Sequence, residues 1–139
     1  MELSLHYLLM ADHSMLQKFV LAKTKELGLT SGQPKILDFL QDHDGAMQKD
    51  IAQGCHIEPS SLSTILTGMV KAGLIARQTP DDNRRTTYIY LTDAGRERCA
   101  QLNDIFASAE KQALAGLSPA DIHTACVLLG RIYNNLQSQ

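Results

Sequence analysis

The sequence predicts a mainly α-helical single domain with one small β-hairpin, in the order ααααββαα. Three observations lead there. Apolar residues recur at helical spacing along most of the chain. Glycines at 28, 45, 73 and 116 fall where those periodic stretches end. One region breaks the pattern: "LIARQT" and "TTYIYLT" are rich in β-branched and aromatic residues and flank the turn "PDDNRR".

The first helix is expected within Leu3 to Leu27, where Leu5, Leu8, Leu9, Leu16, Phe19, Val20 and Leu27 are spaced for one face. Gly28 is expected to end it, and Thr30 or Ser31 to cap the next. Pro34 is tolerable there because it falls in a first helical turn. Ile36, Leu37, Phe39 and Leu40 give the second helix its apolar face, and "DHDG" closes it. A short helix over about Gln48 to Gly54 and a longer one over about Pro59 to Ala72 follow. After the hairpin, Thr92 caps a long helix from Asp93 to about Ala115. "SPAD" is a strong start signal for the last: Ser118 at the N-cap, Pro119 at the first helical position, and Asp121 placed to complete a capping box. That helix carries a stripe of Ile122, Cys126, Leu129, Ile132, Tyr133 and Leu136.

The totals bound the function weakly. With 44% hydrophobic and 20% charged residues, the chain has the composition of an ordinary globular domain. The net charge of −2 gives no global sign of nucleic-acid binding, so any basic site must be local. No apolar run approaches the roughly 18 residues of a membrane span. The opening "MELSLHYLLMADHSM" lacks a basic leader and reads as part of the fold. A cytoplasmic protein is expected. Cys55, Cys99 and Cys126 are odd in number and far apart, which argues for small buried hydrophobes rather than a disulfide framework.

The informative stretch is Gln48 to Ala72. Projected at 100° per residue, Leu62, Ile65, Leu66, Met69 and Val70 share one side of the longer helix. Ser60, Thr64, Thr67 and Lys71 share the other, flanked by Ser61, Ser63 and Gly68. A solvated face would ordinarily carry Glu, Lys and Arg. A small, hydroxylated face lets a helix backbone approach a surface closely and brings hydroxyls to base edges and phosphates. With a short helix and a tight turn before it, this is a helix-turn-helix pattern. Ser60 and Ser61 lie in the first turn, where free amides attract phosphate. Arg84 and Arg85 at the hairpin tip can reach an adjacent minor groove, and Asp82 can orient Arg84. An acidic total is no obstacle, because affinity follows the charge of the docking face.

These residues carry a resemblance. Over essentially its whole length the chain resembles the MarR family of winged-helix transcription regulators. "QKDIAQGCHIEPSSLSTILTGMVKAGLIARQ" looks like that family's helix-turn-helix, with K-x-G-L-I-x-R leading into the first wing strand. "DDNRRTTYIYLTDAGRE" matches the wing signature D-x-R followed by L-T-x-x-G, at Asp82, Arg84, Leu91, Thr92 and Gly95. "GLTSGQPKIL" resembles L-T-x-x-Q at Leu29, Thr30 and Gln33. The resemblance implies one domain over 1–139: a DNA-binding winged helix-turn-helix at 30–92, and dimerisation helices at 1–29 and 93–139. It implies a homodimer on a palindromic operator, a repressor relieved by a small aromatic or anionic ligand in a cleft. DNA contacts then fall on Ser60, Ser61, Ser63, Thr64, Thr67, Lys71, Asp82, Arg84 and Arg85, with Gln48 and Lys49 as phosphate contacts. Met10, His13 and Phe39 are candidates for the cleft. Two positions depart from the pattern. Pro34 replaces a large side chain after Gln33, which bears on the cleft edge. His56 stands where a turn glycine is common, and a left-handed backbone is expected of it. The residues themselves also favour a dimer, since both end helices carry apolar stripes with nothing else to cover them.

Other classes compete poorly. A winged-helix protein-interaction module would pack the Ser/Thr face on a partner helix, and the wing arginines argue against it. A redox-responsive regulator would use Cys99, with Arg96 and Arg98 nearby in sequence. The histidines show no metal-ligand spacing, so no metal or cofactor is expected. No phosphate loop, G-x-S-x-G or paired-carboxylate motif suggests an enzyme.

Overall fold

The computed structural model describes residues 2–80 and 86–138. Its elements run α1 (Leu5–Thr24), a 3-10 turn (Lys25–Leu27), α2 (Gln33–Asp42), β1 (Ala46–Met47), α3 (Gln48–Cys55), α4 (Pro59–Lys71), β2 (Ile75–Gln78), β3 (Tyr88–Leu91), α5 (Asp93–Ala113) and α6 (Pro119–Gln137). The mainly α architecture with a β-hairpin is as the sequence predicts. The hairpin, however, is the larger part of a three-stranded antiparallel sheet ordered β1-β3-β2. β1 pairs Ala46 with Ile89 and Met47 with Tyr88. Two residues show no readable alternation, and pairing across a gap of some forty residues is a tertiary event.

Local chemistry explains the boundaries. Ser118 accepts from the Asp121 amide while the Asp121 carboxylate accepts from the Ser118 amide, the reciprocal capping box that "SPAD" predicts. The start of α2 differs from expectation. Gly32, not Thr30 or Ser31, is its N-cap and makes no side-chain cap bond. The Thr30 amide instead donates to Oε1 of the buried Gln33 at 3.2 Å, and the Gln33 amide returns a bond to the Thr30 carbonyl. Three helical ends share one geometry. After the 3-10 turn, the Leu29 amide reaches back to Thr24 and Gly28 to Lys25; after α4, Leu74 reaches Met69 and Gly73 reaches Val70. After α3, Ile57 reaches Ala52 and His56 reaches Gln53. Each is a Schellman motif with its pivot residue left-handed, glycine twice and His56 once, at φ 54°.

The core gathers Ile36, Leu37 and Leu40 of α2, Ile51 of α3, Leu62, Leu66 and Met69 of α4, Ile75 and Ile89 of the sheet, and Cys99 and Leu102 of α5. It therefore lies almost wholly within the helix-turn-helix, the sheet and the first half of α5. The end helices contribute almost nothing to it: Thr24 is the only buried residue of α1, and α6 has none among its described residues. Val70, expected on the apolar side of α4, is 38% exposed. It lies at the edge of the stripe, one turn past the inner row.

α5 starts against the end of α4. The Thr92 hydroxyl donates to the Gly73 carbonyl at 2.6 Å and accepts from the Gly95 amide at 3.0 Å; the Thr92 amide donates to the Leu74 carbonyl. A Cβ at Gly95 would run into the Leu74 carbonyl oxygen. Gly95→Ala is therefore expected to destabilise the fold by about 1–3 kcal/mol, the cost of overpacking against an atom that cannot rotate away. A thermal melt of the variant checks it; an unchanged melting temperature would show that α5 can slide.

Candidate nucleic-acid interface

α3, the turn at His56 to Glu58, and α4 place a helix with two unlike faces at the surface. Leu62, Leu66 and Met69 are buried, and Ser60, Ser61, Ser63, Thr64, Thr67 and Lys71 are all exposed. Pro59 opens α4, and no side chain caps the free amides of its first turn. The outer face carries small hydroxyl residues with one cation at its far end.

Several of these side chains are already positioned. Gln48 Nε2 donates to Ser63 Oγ at 2.7 Å, so α3 braces α4. That bond makes Gln48 a support for the face, in addition to the phosphate contact expected of it from the sequence. Thr67 Oγ1 donates to the Ser63 carbonyl at 2.9 Å and accepts from Arg77 Nη2 at 3.4 Å. Arg77 is exposed on β2 and brings a guanidinium to the edge of the hydroxylated face. Sequence reasoning passed over it, although it is the arginine of K-x-G-L-I-x-R. Ser61 lies on a different flank, where it lines a cleft with Ile65. Asp82, Arg84 and Arg85 lie outside the described residues. The strands that carry them are in place: Gln78 pairs with Tyr88, and the Thr79 and Thr87 hydroxyls are 3.4 Å apart.

The cleft, of about 420 Å³, opens between α1, α2, α5 and the start of α4. Leu16, Val20, Pro34, Ile65 and Phe106 form apolar walls, with His13, Lys35, His56, Glu58 and Glu110 supplying polar groups. Of the three cleft candidates only His13 lines it. Met10 is 59% exposed elsewhere on α1, and Phe39 turns inward, stacked on His43 at 4.2 Å between centroids. Pro34 does shape the cleft edge.

The cysteines divide. Cys55 is buried, its thiol pushed up to about 11 by burial. Cys99 is buried too and donates to the Leu37 carbonyl; burial, then the Asp38 charge, raises its pKa, and the opposing pull of Arg96 does not offset them. The redox reading of Cys99 is thereby corrected: nearness to arginines in sequence does not create an electropositive, accessible site. Cys126, expected to be packed, is exposed on the single chain. Among the described residues, no cluster of His, Cys, Asp or Glu could hold a metal ion, and no helix is long and apolar enough to cross a membrane.

Residues 29–87 match the model of the MarR family. Those residues hold the helix-turn-helix and the hairpin strands, so the likeness falls on the winged helix. Its named relatives are regulators of transcription. It is 24% identical over 111 residues to the uncharacterized HTH-type transcriptional regulator YdgJ of Bacillus subtilis, spanning 80% of this chain and 68% of that one. It is 27% identical over 114 residues to the HTH-type transcriptional repressor Mb2911 of Mycobacterium bovis, spanning 82% of each. The S. aureus MepR–DNA complex contains a chain 27% identical, which superposes with a TM-score of 0.84 over 97% of this chain and 99% of that one. The proteins this chain is similar to are thus named regulators of transcription.

Neither Cys55 nor Cys99 is expected to react with a maleimide at neutral pH until the protein is unfolded. The sign follows from their raised folded-state pKa values. Protonated thiols are favoured in the fold, so this contribution is complete below the unfolded pKa near 9 and is lost as pH rises, for Cys55 as it climbs toward 11 and for Cys99 in the same direction. Mass spectrometry of the labelled native protein checks it, and rapid native labelling of Cys99 would restore the redox reading.

Proposed function

We propose that the protein is a cytoplasmic homodimer that binds a two-fold-symmetric DNA operator through α4 and the wing, and represses transcription until a small ligand relieves it. The observation that carries the reading is the exposed Ser/Thr face of α4, braced by Gln48 and flanked by Arg77. Ser60, Ser63, Thr64 and Thr67 sit where an inserted helix meets base edges, with Lys71, Arg77 and the wing residues Arg84 and Arg85 available to phosphates or the minor groove. The role proposed for Asp82 is to orient Arg84. Ser61 joins at the first turn, between the DNA face and the cleft.

Dimerisation is supported by the uncovered apolar surface. Leu5, Leu8, Leu9 and Leu16 of α1 and Val127, Leu128, Leu129, Tyr133 and Leu136 of α6 are all exposed on the single chain. So much apolar surface on the two end helices calls for a second copy. Repression draws on the relative named a transcriptional repressor, and DNA docking on the neighbour solved as a DNA complex. A ligand would be small and apolar, with an aromatic or anionic part for His13 and Lys35. It would touch Ser61 and Ile65 of α4 directly.

The test is a titration against DNA upstream of its own gene, and against genomic fragments, at two salt concentrations. Binding well above that to nonspecific DNA, at one dimer per palindrome and falling steeply with salt, is the expected result. Arg84→Ala should weaken binding to all sequences and reduce the salt slope by about one; Thr64→Ala or Thr67→Ala should alter sequence preference. Weak, salt-insensitive binding would mean that the Ser/Thr face meets protein. Sedimentation should show a dimer, and Leu129→Glu with Leu136→Glu should break it; a wild-type monomer would remove the two-fold docking scheme.

A further inference from the structure

We infer that Tyr133 of α6 is a positioning residue for the recognition helix α4, acting through the imidazole of His56. The part of this that concerns DNA rests on the function proposed above.

His56 is the left-handed pivot of the α3–α4 turn, φ 54° and ψ 49°. The other two Schellman pivots, Gly28 and Gly73, are glycines at φ 75° and 77°. A β-carbon in this region carries a steric cost that glycine avoids. At position 56 that cost is accepted, and a side chain is gained. The imidazole Nε2 lies 3.2 Å from the Tyr133 hydroxyl, and the two rings meet edge to face, 5.6 Å between centroids at 86°. Gln137 Nε2 donates to the same hydroxyl at 2.9 Å. The Tyr133 hydroxyl thus bridges Gln137 and His56, accepting from the first and sharing a hydrogen bond with the second whose donor is set by the imidazole tautomer.

The placement gives this contact leverage. α4 begins at Pro59, three residues beyond His56, so the orientation of the turn sets the angle at which α4 leaves α3. α6 has no buried residue among those described, yet it contacts the turn from which the hydroxylated face of α4 begins. His56 also lines the cleft, beside Ser61. The position of α6 is therefore transmitted to the reading head through a polar contact rather than through the core.

Tyr133→Phe removes the hydroxyl and keeps the ring. Hydrogen–deuterium exchange of the DNA-free protein should show faster exchange across the turn and the first turn of α4, with a small fall in melting temperature and with sedimentation unchanged, because Phe keeps the apolar ring. Operator affinity should fall roughly two- to tenfold, the range one neutral hydrogen bond supports, with the salt slope unaltered because no phosphate contact is lost. In a His56→Gly background, Tyr133→Phe should have no further effect on either readout, since the partner is gone. Unchanged exchange in Tyr133→Phe, or effects that simply add in the double variant, would overturn the inference whether or not the protein binds DNA. Faster exchange with unchanged operator affinity would overturn the positioning role. If no DNA is bound specifically, the functional proposal fails, while the exchange data still decide whether Tyr133 holds the turn.

Discussion

The junction at Thr92 carries the architecture. One hydroxyl donates to the carbonyl of Gly73 at the end of α4 and accepts from the amide of Gly95 in α5, while the adjacent amide bonds Leu74 at the start of the sheet. α4, the hairpin and α5 are thus joined within a few ångströms. Gly95 allows this because its missing side chain lets α5 lie on the Leu74 carbonyl. Asp44 adds a second clasp: it accepts from the Leu91 amide at 2.8 Å and pairs with Arg96 at 3.6 Å, tying the end of α2 to the same place. That ion pair is exposed and contributes little by itself. The backbone bond it accompanies fixes the loop.

From this frame the outer face of α4 follows. Its hydroxyl groups are short and have few rotamers, and two of them are already tied to Gln48 and Arg77. A face ordered before binding loses less entropy on docking than one built from long charged side chains. This is how a chain of net charge −2 can present a nucleic-acid surface. The cations are few and sit at the edges of the face.

The two ends of the molecule differ in kind. The winged helix-turn-helix has a closed core, whereas α1 and α6 leave rows of leucines uncovered. The cleft lies where these parts meet, with walls from both, so anything that fills it contacts α1 and the start of α4 together. An occupant with different affinity for two relative placements of these parts would shift the balance between them. The His56–Tyr133 contact sits at the same boundary and would respond to such a shift.

The sequence by itself determined the helices, their stop signals, the hairpin and the hydroxylated face of α4, because each rests on periodicity or on capping within a few residues. The capping box at Ser118 and the left-handed turn at His56 were legible for that reason. Only the tertiary structure decided the rest. β1 pairs with a strand some forty residues away. Gln48 reaches Ser63, and Arg77 reaches Thr67, across separate elements. Cys99 faces a carbonyl of α2 rather than the arginines near it in the chain. The imidazole of His56 meets Tyr133, 77 positions on. Such contacts depend on where elements pack, and packing is set by the summed burial of many side chains, which no local pattern encodes.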